Sequence, residues 1–193
     1  MKNITLPVLS LAFIALSVTA NAQVDTKTDS HTIGIGIPEV ALLDIEPSAT
    51  KNITMGFEAP TEAGLPITPP ADNTSLWLNY SSIKAATAPD NVRAVSVKLN
   101  ALIPGVDIKV TAAAKAGVGS GTFGIPSAQL TLTAADQNIL TGIGSAFTGN
   151  GATNGHNLTY NVNYGNAVGS TANYADLVAS TATATVTYTI SDN

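Results

Sequence analysis

The chain has 193 residues, a formal net charge of −5, eight lysines and arginines together, and no cysteine. Without a basic run it makes a poor partner for nucleic acid or for an anionic membrane surface. It has neither disulfide staples nor thiolate chemistry, and with 11% charged residues against ~25% in an ordinary globular protein it must cover its surface with hydroxyl and amide groups.

The first stretch carries an export signature. Lys2 precedes an apolar run from Leu6 to Val18, interrupted by Pro7, Ser10 and Ser17, and Ala20-Asn21-Ala22 forms a small-x-small cleavage pattern. The run falls short of the ~20 apolar residues that span a bilayer. The expectation is a signal peptide over residues 1–22, a flexible lead-in over 23–30 and a single β-sandwich domain over 31–193. An exported chain without a transmembrane anchor belongs in the periplasm, outside the cell or on its surface.

Residues 31–37 alternate: Ile33, Ile35 and Ile37 share one face, Gly34 and Gly36 the other. Interior glycines weaken a strand but let another backbone approach closely. Two readings follow. The favoured one makes this the first strand of its own sandwich, because residues 40–45 resume an apolar run just after Pro38. The other makes it a strand-exchange segment that pairs with a neighbour's sheet.

Residues 52–57 read as a short strand with Ile53, Met55 and Phe57 on one face, and the next stretch holds Pro60, Pro66, Pro69 and Pro70 in an irregular connection. Leu76, Leu78 and Tyr80 then oppose Trp77 and Asn79 across a strand. Trp77, the single tryptophan, reads first as a core anchor. The competing reading makes Trp77 and Tyr80 a ligand-stacking platform for sugar.

Residues 92–99 alternate, with Arg93 and Lys98 assigned to the outward face. Strand patterns recur at 106–110, 129–133 and 157–164, separated by Pro104-Gly105 and by glycine-rich loops. Residues 134–143 are the one place where a helical turn is expected, with Ile139, Leu140 and Ile143 at helical spacing. The last regular stretch, residues 181–190, sets threonine at every odd position and Ala182, Ala184, Val186, Tyr188 and Ile190 on a core-facing side. About eight to ten short strands at this spacing predict an all-β fold. The expected architecture is a single antiparallel β-sandwich, immunoglobulin-like or Greek key, with at most one short helix.

Catalytic patterns are not found. His31 and His156 lack partners at metal-ligand spacing, and Ser120 in Gly119-Ser120-Gly121 lacks the flanks of a nucleophile elbow. The carboxylates Asp44, Glu46, Glu58, Glu62, Asp107 and Asp136 mostly fall beside turns or on outward faces. The expectation is no catalytic residue, no cofactor and no metal ligand.

Three stretches, Leu130-Thr131-Leu132-Thr133, residues 157–164 and residues 184–190, resemble bacterial fimbrial and spore-coat-U-like secreted domains. The resemblance implies an immunoglobulin-like sandwich, and in the chaperone–usher systems a neighbour's N-terminal strand completes each fold. The chain departs from that pattern in lacking the cysteine pair and in placing its last tyrosine, Tyr188, before the penultimate position. The expected function is an exported, non-enzymatic structural or adhesive surface protein, as a filament or outer-layer subunit. Its partners are then further copies or other surface proteins. The alternative is a secreted carbohydrate- or polymer-binding module whose partner is a glycan.

Overall fold

The computed structural model describes residues 27–165 and 172–192. The expected signal peptide lies outside the described residues. Contacts divide the chain after Gly36, and the folded body is built from Ile37 onward.

That body is an all-β sandwich of two antiparallel sheets. The strands are β1 (Val40–Glu46), β2 (Asn73–Ile83), β3 (Arg93–Leu99), β4 (Val106–Ala112), β5 (Ser120–Gly121), β6 (Ile125–Pro126), β7 (Leu130–Thr131), β8 (Gln137–Ile143), β9 (Ala146–Phe147), β10 (His156–Tyr164) and β11 (Val186–Asp192). The larger sheet runs β5-β9-β2-β10-β4-β7, with β1 paired to the other side of β2, and the smaller runs β11-β3-β8-β6. Two single 3-10 turns, Ser48–Thr50 and Tyr174–Asp176, are the helical elements among the described residues.

Alternation decides which side chains are inside. Leu76, Leu78 and Tyr80 of β2, Leu158 and Tyr160 of β10, and Val110 and Ala112 of β4 line the inner face of the larger sheet. They pack on Val95, Val97 and Leu99 of β3 and on Ile139, Leu140 and Ile143 of β8. Burial of such aliphatic side chains is worth roughly 1.5–3 kcal/mol each, and it carries the stability that disulfides would otherwise supply. At the loop before β10, Gly155 adopts φ +78°, and a Cβ there would lie 2.3 Å from the Leu78 carbonyl oxygen. Only glycine lets the loop lie this close to β2.

Four expectations need correction. Residues 31–37 form no strand and stay exposed, so the reading as a first strand of the sandwich does not hold. The helical turn over 134–143 is instead β8, where the register slips against β3. That irregularity turns Ile139 and Leu140 inward together, and Gly142 bends the chain at φ +74° before Ile143. Two adjacent inward residues with a third three positions on imitate helical spacing. The terminal strand begins at Val186, and Ala182 is exposed rather than core-facing. Arg93 shares the inward parity of Val95, Val97 and Leu99 and is 1% exposed. Lys98 does face outward, 3.0 Å from Asp136.

Candidate functional site

The smaller sheet ends on β11, which pairs with β3 on one side and with no described strand on the other. Val186, Tyr188 and Ile190 stand opposite Leu99, Val97 and Val95, so they share the inward side. With Ala184 they form a row of half-buried apolar side chains resting on the core. The outward residues Thr187, Thr189 and Ser191 are exposed. An edge of this kind is normally blunted by lysine, proline or a bulge, and β11 has none of these.

Tyr188 reaches across the sandwich, and its hydroxyl meets that of Tyr160 on β10 at 2.7 Å. Burial pushes the Tyr160 phenol up to about 12, partly offset by the Tyr188 hydrogen bond. Burial also holds Tyr188 well above the ordinary phenol range, and the neighbouring Tyr160 adds to the shift. Both rings stay neutral and fix the edge strand to the larger sheet.

A second run has no ladder of its own. Residues 52–57 alternate half-buried Ile53, Met55 and Phe57 with exposed Asn52, Thr54 and Gly56. Ile53 and Met55 pack against the same core as the β11 row. Yet no backbone group over 52–57 bonds another described residue. The expected strand therefore has the side-chain pattern of a strand and no ladder. Strand β1 likewise has one neighbour, β2, and sets Leu43 and Ile45 half-buried at the core margin.

The expected strand-exchange residues belong to no strand. Ile33, Ile35 and Ile37 are 76%, 81% and 77% exposed, a costly display for three large aliphatic side chains. Pro38 and Glu39 alone separate Ile37 from β1. A tight two-residue hairpin wants a positive φ at its first position, whereas proline holds φ near −65°. The segment is thus poorly suited to fold straight back onto β1.

At one end of β1 and β11 lies a charge cluster built around the buried Arg93 guanidinium. Arg93 donates from Nε to Asp192 Oδ1 at 2.8 Å and from Nη1 to Val40 O at 2.6 Å, Ser82 Oγ at 3.1 Å and Ile83 O at 3.0 Å. Its Nη2 donates to Glu39 Oε1. The guanidinium fork therefore ties the start of β1, the end of β2 and the end of β11 at one point.

Trp77 and Tyr80 do not form a shared platform. They point to opposite sides of β2: Trp77 is half-buried beside Glu46 and Asn157, and Tyr80 is in the core. The Tyr80 hydroxyl accepts from Gly124 N at 2.9 Å, and its ring stacks on His156 at 5.8 Å between centroids. Burial raises the Tyr80 phenol and lowers the His156 imidazole. The His156 Nδ1 donates to Ala113 O at 2.8 Å, which fixes the tautomer with Nε2 toward Tyr80. On the outer face, a shallow depression of about 330 Å³ is lined by Leu42, Asp44, Asn79, Ser81, Phe147 and Asn150 among others. Among the described residues no three His, Asp or Glu gather as a metal site would require.

Sequence reasoning missed the Arg93 cluster and the unpaired backbone of residues 52–57. Inward parity with Val95 was a usable signal for Arg93, overridden by its charge. For residues 52–57 no local signal separates a paired strand from an unpaired one. No family model, no curated protein and no solved structure matches the chain.

Proposed function

We propose that the protein is an exported, non-enzymatic structural or adhesive surface subunit that assembles with copies of itself by strand exchange. The observation that carries this reading is a complementary pair on one molecule. Ile33, Ile35 and Ile37 alternate with glycines and stand exposed. The edge of β11 offers unpaired backbone above a half-buried row spaced by the same period of two. A neighbour's segment laid along β11 gives its backbone a ladder and its isoleucines a dry seat. Each arrangement alone is a liability in water; together they bury one another.

The glycan-binding alternative loses its strongest support, because Tyr80 is committed to the core and cannot stack on a sugar.

The test replaces Ile33, Ile35 and Ile37 together by serine in the mature chain. These side chains touch little, so the variant should melt like the wild type. Wild-type protein should form linear assemblies in electron micrographs, and the variant should remain monomeric. It should still bind a synthetic peptide spanning residues 27–37. Wild-type protein that stays monomeric at every concentration, or a variant that assembles normally, would refute the proposal.

A further inference from the structure

We infer that the Arg93–Asp192–Glu39 cluster is the stop that sets the register and direction of the incoming strand; the inference rests on the strand-exchange reading above. The inward row of β11 runs Ala184, Val186, Tyr188, Ile190 and then Asp192, since all share one parity. Four apolar positions end in a carboxylate held by a buried guanidinium. Three isoleucines spaced by two fit over Val186, Tyr188 and Ile190. One further step would press an isoleucine onto the Asp192 carboxylate, stripping water from a charge that the side chain could not hydrogen-bond.

The same cluster sets the direction. Strand β11 runs toward Arg93, and β1 starts from it, because Arg93 binds Val40 O and Glu39 as well as Asp192. Each molecule's own arm is therefore rooted at the Arg93 end of its open edge. An incoming arm parallel to β11 would bring the donor's Pro38 and Glu39, and the donor's body behind them, to that occupied end. An antiparallel arm puts the donor's body at the Val186 end, away from the acceptor's root. Successive molecules then follow head to tail, a heterologous contact that extends as a filament instead of closing as a dimer.

Arg93 is a positioning residue in this scheme, and the native chain has no cysteine to confuse disulfide mapping. Antiparallel pairing with Ile33 opposite Ile190 sets Gly34 opposite Thr189 and Gly36 opposite Thr187. A Cβ at Gly34 or Gly36 meets no atom within 4 Å, so cysteine is tolerated there. Mature chains carrying Gly34→Cys or Gly36→Cys are mixed with chains carrying Thr187→Cys, Thr189→Cys or Ser191→Cys, and oxidised. The expected disulfides are 34–189 and 36–187. Repeating the mixture in an Asp192→Ala background, which keeps Arg93 bound to Glu39 and three other oxygens, should add a 34–191 disulfide as the strand slips by two. A 34–187 disulfide overturns the inference: with 36–189 it marks parallel insertion, and without it an antiparallel register slipped toward Ala184. An unchanged pattern in Asp192→Ala also overturns it, while leaving strand exchange intact. No interchain disulfide from either arm position would sink both.

Discussion

Tyr188 and Tyr160 join the two sheets through one hydrogen bond of 2.7 Å between their hydroxyls. The first belongs to the edge strand of the smaller sheet and the second to an interior strand of the larger. Removing the Tyr188 hydroxyl by Tyr188→Phe leaves the buried Tyr160 hydroxyl without its partner, at a cost of roughly 1–3 kcal/mol. Thermal unfolding should show this as a lower Tm. An unchanged Tm would mean the bond contributes nothing to holding the edge.

The same pair makes the fold sensitive to alkali. Tyr160 is raised from 10.0 to about 12, and Tyr188 is raised as well. In the unfolded chain both phenols ionise near 10, whereas in the folded chain they keep their protons to higher pH. The unfolded state therefore binds fewer protons above pH 10, and stability falls as pH rises from about 10 toward 12. Chemical denaturation at a series of alkaline pH values should give a declining unfolding free energy, with a shallower decline in a Tyr188→Phe variant.

His156 has the opposite sign. Burial lowers its folded-state value below the ordinary 6.5. Its contribution is fully present above pH 6.5 and is lost as pH falls through the folded value, because the unfolded imidazole takes up a proton first. Melting temperature should drop between pH 7 and pH 5 in the wild type. A His156→Gln variant should be less stable at pH 7 but lose most of that slope. A wild-type slope retained in the variant would assign the acid sensitivity to other groups.

Val186→Asp separates folding from assembly. Val186 is half-buried at the sheet edge, so its carboxylate can turn toward water, and the loss should be about 1–3 kcal/mol rather than unfolding. Assembly should be abolished, since the charge would face an incoming isoleucine. Filaments of normal length from this variant would show that the β11 row is not the seat.

Arg93→Met should be the most damaging single change. It strips the partners from two carboxylates, two backbone carbonyls and Ser82 at once. Glu39 and Asp192 are 49% and 40% exposed and can turn to water, so the loss falls below the ~3–5 kcal/mol of breaking a fully buried pair. Arg93→Lys keeps the charge but not the planar fork, and its Tm should fall between the two.

Much of this architecture was legible from alternation alone. Leu158, Tyr160 and Val162 are buried as their spacing required, and Leu76, Leu78 and Tyr80 sit opposite Trp77 as written. The stacking platform was not supported, because Tyr80 shares the buried side of Leu76 and Leu78 while Trp77 points the other way. Pairing was not legible. Residues 31–37, 52–57 and 186–190 carry the same period-two pattern, yet only the last lies in a ladder. A period reports which side is apolar and says nothing about which backbone lies alongside. Irregularities were illegible for a related reason: the slip that turns Ile139 and Leu140 inward depends on β3, forty residues earlier by rough count. The Arg93 cluster draws its acceptors from three separate parts of the chain, residues 39–40, 82–83 and 192, so no short window of sequence contains it.

Under the strand-exchange proposal, the arm rooted at Glu39 and the open edge lie on the same molecule, so every subunit would be bifunctional. A linear array of any number of copies would then end in one vacant seat and one unspent arm, with no stop to growth among the described residues. Length becomes a matter of stoichiometry, as in step-growth polymerisation. A copy lacking residues 23–37 would receive an arm but give none, and should act as a chain stopper. Adding it at increasing mole fraction should shorten the mean filament length roughly in inverse proportion. Lengths that ignore the dose would mean that growth is limited elsewhere.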